Sequence, residues 1–165
     1  MFRCGDNPAA AAVFFALSAL PATAQVPEVI ATPGATKILE VHAEGAQIYE
    51  CKPGKDGQPV WQFREPIAAL ILDGETVGRH YLGPTWEFSD GSAVTGQVAS
   101  RASGSTPSDI PWLRLNATSH RGEGRLSDVV TIQRLNTKGG VLDGHCEPLG
   151  ALASITYSSD YVFLK

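Results

Sequence analysis

Histidine, carboxylate and tryptophan come closest together in one stretch, Gly78-Arg79-His80-Tyr81-Leu82-Gly83-Pro84-Thr85-Trp86-Glu87-Phe88-Ser89-Asp90-Gly91-Ser92. If Gly83-Pro84 is a two-residue hairpin loop, Leu82 opposes Thr85, Tyr81 opposes Trp86 and His80 opposes Glu87. Directly opposed residues share a sheet face with Cβ atoms about 5 Å apart. A carboxylate at that range holds one imidazole tautomer and favours its charged form. Such a couple can move protons or give two ligands to a metal. The plainer reading is a cross-strand ion pair that ties the hairpin, with Tyr81 and Trp86 packed beside it. Proline at the second place of so short a turn is unusual, which leaves the register open. Asp90 adjoins the stretch but has the chemistry of a turn that caps itself. Trp61, Trp86 and Trp112 are the size of core residues first and ligand platforms second. Trp112 follows a long loop and Ile110-Pro111, which suits a rim. The candidate ligand-binding set is therefore His80, Trp86, Glu87, Asp90 and Trp112. His42 and His120 read as exposed, and no GxSxG or SxxK motif marks a nucleophile.

The cysteines place the chain. Residues 1–24 read as a secretory signal peptide, with Arg3 ahead of an apolar Ala9–Leu20 run and Ala22-Thr23-Ala24 before a cut at Gln25. Cys4 would leave with it. Cys51 and Cys146 remain, and an even pair in an exported domain is most simply a disulfide. The rival is a metal pair with His145, but no CxxC or CxH spacing supports it. No metal site and no cofactor is expected.

Composition narrows the partners. Of 13 bases and 17 acids, the signal segment holds Arg3 and Asp6, so the mature chain keeps the net charge of −4. No basic stripe is present to neutralise phosphates, so nucleic acid is not an expected partner. The only run long enough to raise a membrane question is the signal's own, so no span is expected after cleavage. Seventeen glycines and eleven prolines suit short strands and many turns.

The elements that must position these residues alternate with period two. Gln25–Thr36 reads as a proline-containing leader lying over a domain of residues 37–165. Lys37–Ala43 and Gln47–Lys52 read as a hairpin about Glu44-Gly45. Val60–Arg64 alternates, and Ile67–Leu72, set off by Pro66, reads as a strand buried on both faces, with a buried helical turn as the alternative. Thr76–Leu82, Thr85–Ser89, Ala93–Arg101 and Pro111–Ser119 follow, parted by Asp73-Gly74, Gly83-Pro84, Asp90-Gly91 and a polar loop. Leu126–Leu135 reads as a long strand with Val130 and Ile132 on one face. In Ile155–Leu164, Tyr157, Tyr161 and Phe163 share a face. About nine strand signals without sustained helical period predict an all-β, single-domain antiparallel sandwich or closed barrel with one disulfide.

In order, Gln47-Ile48-Tyr49-Glu50-Cys51, Trp61-x-Phe63, Gly78-x-His80-x-x-Gly83-Pro84-Thr85-Trp86-Glu87, Asp90-Gly91-Ser92-x-Val94-x-Gly96, Ile110-Pro111-Trp112-Leu113, Ile132-Gln133-Arg134, Thr137-x-Gly139-Gly140 and a late Cys146 span nearly the whole mature chain. This pattern resembles the domain of unknown function 3455 family. The resemblance implies an exported microbial protein of one domain, and it supplies no catalytic residue. The expectation is thus a secreted or periplasmic β-domain that binds a small ligand, glycan or protein. The alternatives are an enzyme or metal protein using His80 and Glu87, and a structural envelope protein without a pocket.

Overall fold

Alternating apolar and polar residues make strands with one buried face, and a sheet of such strands must cover that face. Here the sheet covers it by closing on itself. A computed structural model describes residues 25–165 together with Met1. The rest of the expected signal peptide lies outside the described residues. Eight strands follow in order: β1 Lys37–Pro53, β2 Pro59–Leu72, β3 Glu75–Tyr81, β4 Thr85–Phe88, β5 Ala93–Ala102, β6 Trp112–Arg121, β7 Thr131–Gly139 and β8 Leu152–Leu164. Each pairs antiparallel with the next, and β1 pairs with β8, so the ring is a closed barrel and the sandwich alternative falls away.

Two expected turns resolve differently. Glu44-Gly45 is not a turn, because β1 runs unbroken through it and Gly45 faces Ala68 on one side and Tyr157 on the other. A Cβ there would strike the Ile67 carbonyl oxygen and come within 2.5 Å of the Ala68 Cα. The glycine marks close approach of two strands, the other meaning of glycine in a strand. Asp73-Gly74 is a turn as expected, with φ of 51° and 84°, the left-handed pair that suits the twist of a hairpin.

Val60–Arg64 and Ile67–Leu72 are one strand, β2, which passes through Pro66. The proline is tolerated because β3 pairs only with Ala68–Leu72, so its missing N–H falls where β2 has no second neighbour. Ile67–Leu72 is not buried on both faces: Ile67 is 55% exposed, whereas Ala68 and Leu70 are buried. The expected strand at Leu126 begins only at Thr131. Leu126 and Val129 are instead buried on a turn, with Val129 N–H bonded to Leu126 C=O, and Val130 is exposed while Ile132 is buried. That turn belongs to the β6–β7 connection and packs into the core at one end of the barrel.

The inner core joins Val41, Leu70, Trp86, Leu115, Tyr161 and Phe163. Tyr157, Tyr161 and Phe163 share this core, as their spacing predicts. A second cluster lies outside the barrel wall. There Ile30, on a single 3-10 turn at Glu28–Ile30, packs with Trp112, Leu135, Val162 and Leu164. Gln133 Nε2 donates to the Ile30 carbonyl at 2.7 Å and fixes the leader to the wall. Cys51 and Cys146 form the disulfide, with Cα atoms 5.7 Å apart. It ties the β7–β8 connection to the end of β1, where Cys51 N–H and C=O also pair with Ala151 and Gly150. Among the described residues, no helix is long and apolar enough to cross a membrane.

Candidate functional site

The β3–β4 hairpin decides which side chains enter the barrel. Its loop has three residues, Leu82-Gly83-Pro84, and Tyr81 pairs with Thr85, so His80 opposes Trp86 and Arg79 opposes Glu87. The expected pairing of His80 with Glu87 is therefore wrong by one residue. In a strand a one-residue slip moves a side chain to the other face. Proline at the second turn position is what excludes the two-residue loop.

His80 lies inside and is 3% exposed. Its ring lies flat on the Trp86 indole, with centroids 4.5 Å and planes 11° apart. Tyr161 meets both rings edge-on, at 5.0 Å and 5.2 Å. His80 Nδ1–H donates to the Thr85 carbonyl at 2.9 Å, because a carbonyl can only accept. This leaves Nε2 as a bare acceptor. Burial pushes the His80 pKa down to about 3, against the Thr85 bond and with the help of the Arg134 charge. A neutral imidazole of that weakness is a hydrogen-bond acceptor at neutral pH and a poor general base.

Glu87 lies on the outer face. It accepts from Tyr81 Oη at 2.7 Å, from Arg121 Nη2 at 2.9 Å and from Arg79 Nη2 at 3.2 Å. The Tyr81 hydroxyl, then the two arginines, hold its carboxyl below the usual range. This is a surface network that ties β3, β4 and β6, the class of contact that adds little stability per pair. Asp90 is a turn residue. Its carboxylate accepts from Ser92 N–H at 2.9 Å, Ser92 Oγ at 2.6 Å and Arg125 N–H at 2.9 Å. Trp112 is not at a rim but buried under Ile30 on the outer wall. Of the five candidates, the barrel brings together His80 and Trp86 and leaves Glu87, Asp90 and Trp112 elsewhere.

His80 and Trp86 line a cavity of about 480 Å³ that reaches the barrel mouth beside the Leu82-Gly83-Pro84 loop. Leu113, Leu115 and Tyr161 continue its wall. A wider outer cleft of about 730 Å³ lies over the β5–β6 loop and shares Tyr49, Phe63, Ile110 and Pro111 with it. Gln47 and Arg134 are among the polar cavity residues that were not sequence candidates. Gln47 is 3% exposed, and its Nε2 makes no close hydrogen bond beyond a weak one to the Tyr157 hydroxyl. Arg134 lines the cavity and donates from Nε and Nη2 to the Pro111 carbonyl at 3.1 Å and 2.8 Å. Period-two counting would have found both: Arg134 stands two residues after inward Ile132, and Gln47 two before inward Tyr49. Trp86 Nε1 is a buried donor without a protein partner. Among the described residues, no group of three or more His, Cys, Asp or Glu is placed to hold a metal.

Fold and site define a small closed β-barrel with a disulfide at its mouth and an interior cavity of largely apolar wall with a few polar groups. The chain belongs to the protein of unknown function family DUF3455, whose pattern matches residues 32–165. No curated protein and no solved structure matches it.

Proposed function

We propose that this barrel binds a small organic molecule in its interior and works outside the cytosol, as a single exported domain of residues 37–165 behind a cleaved signal and a short leader. The cavity carries the reading. Its volume of about 480 Å³ and its mixed wall, with aromatic and leucine side chains around a few fixed polar groups, are those of small-molecule sites. A merely structural barrel would gain stability by filling that space. The His80 acceptor, the Gln47 donor and the Trp86 donor supply orientation rather than chemistry. Export is supported by the paired cysteines, since disulfides persist in oxidising compartments.

The test uses the full chain with its disulfide formed. It is titrated with two naphthyl probes, uncharged N-phenyl-1-naphthylamine and anionic 8-anilinonaphthalene-1-sulfonate. Saturable one-to-one fluorescence enhancement by either probe, lost in Leu113→Trp that fills the cavity while near-ultraviolet circular dichroism stays native, supports interior binding. No saturable binding of either probe, or equal binding in the filled variant, overturns it.

A further inference from the structure

The cavity wall is charged in one sense only. Arg64, Arg101 and Arg134 line it, and no aspartate or glutamate does, in a chain whose net charge is −4. The excess of acids is kept off this surface. Arg64 is neutralised by Glu65, with Nε to Oε1 at 3.1 Å. Arg134 and Arg101 have no carboxylate within 4.0 Å among the described residues. Arg134 is the deeper of the two, half-buried between Pro111 and the interior. The Pro111 carbonyl takes two of its five N–H groups and none of its charge. A partly desolvated guanidinium without a counter-ion is costly unless something anionic completes it. A buried donor points the same way: Trp86 Nε1 lacks a protein acceptor, and Trp86 lines this cavity.

Resting on the reading of the barrel as a binding protein, we propose that its ligand is an organic monoanion, a carboxylate or sulfonate on an apolar or aromatic body. The anionic group sits on the free edge of the Arg134 guanidinium, which offers the planar fork that matches such a group. The body fills the space walled by the His80–Trp86 stack, Leu113 and Leu115. Arg101 lies nearer the mouth, where it draws the anion in. The Trp86 N–H is acceptor-seeking, so the same ligand presents a further oxygen atom to it.

The experiment compares the two naphthyl probes, which differ in the sulfonate and share the aromatic body. The wild-type chain is expected to bind 8-anilinonaphthalene-1-sulfonate about tenfold or more tightly than N-phenyl-1-naphthylamine, the scale of one charge-assisted hydrogen-bonded contact. Arg134→Gln should erase that preference by weakening the sulfonate alone. Arg134→Lys should keep part of it, because charge remains while the fork is lost. Arg101→Gln, which leaves the Arg134–Pro111 contact intact, should slow sulfonate association and flatten its salt dependence. Arg125→Gln, outside the cavity, should change neither probe. Should Arg134→Gln fail to fold, competition of decanoate against decanol on the wild-type chain decides, with decanoate expected to displace either bound probe at the lower concentration. Both probes binding equally, with Arg134→Gln or the decanoate–decanol pair showing no charge preference, overturns the anion proposal and leaves interior binding standing. Neither probe binding overturns interior binding itself.

Discussion

Acidification should unlatch this barrel through one side chain, His80. In the unfolded chain its imidazole titrates near 6.5, whereas in the folded barrel burial pushes it down to about 3. Between those values the unfolded chain takes up a proton that the native protein refuses, so stability falls as pH falls. At pH 5 the gap is about 1.5 units below the unfolded value, and one unit corresponds to about 1.4 kcal/mol, so the loss relative to pH 7 is about 2 kcal/mol. The carboxylates held low, such as Glu87, enter mainly below this window, and their share is common to wild type and variant. His42 acts on the opposite side. Its pKa is raised by hydrogen bonds to Asp160 and then Glu44, so its contribution is fully present below 6.5 and is lost only as pH rises through its folded value. Urea unfolding at pH 7 and pH 5 should therefore show wild type losing about 2 kcal/mol more than His80→Gln, roughly a 1 M difference in midpoint shift, with the His42 gain common to both chains. Each chain is its own reference, so any cost of the substitution cancels. An equal change in both chains between pH 7 and pH 5 would refute a buried neutral His80.

Two further outcomes follow from the frame. Replacing both cysteines, Cys51→Ser with Cys146→Ser, opens a bridge that spans 95 residues, and urea unfolding should show a loss approaching 4–5 kcal/mol, about what loop-closure entropy gives for so long a span. Gly45→Ala should lower thermal stability by about 1–3 kcal/mol or more, because the added methyl meets the Ile67 carbonyl and Ala68 in neighbouring β2; an unchanged melting temperature would show that β1 and β2 separate freely there.

Much of this barrel was legible because strands announce themselves by alternation. The shared face of Tyr157, Tyr161 and Phe163 and the Asp73-Gly74 turn follow from local spacing, and the cysteine pair follows from only two cysteines lying beyond residue 24. Failures came where one residue type has two meanings. Gly45 read as a turn is a site of close strand approach, and Pro66 read as a break sits beside a missing neighbour strand. Neither meaning is set by the segment itself, because both depend on what lies across the sheet. Register was the costliest miss. Counting a two-residue loop put His80 with Glu87, and the real three-residue loop puts the first inside and the second outside. The charge of Arg134 suggests solvent, yet its phase with Ile132 points inward.

In this ring the first strand along the chain pairs with the last. Strands β1 to β7 can each zip to a neighbour, yet the sheet they form stays a curled ribbon with bare rims at β1 and β7. Until Leu152–Leu164 bonds to both rims, any other unpaired strand can take its place. The last strand thus acts as a zip-fastener's final tooth, and only a chain extended through Leu164 can hide both rims from neighbouring chains.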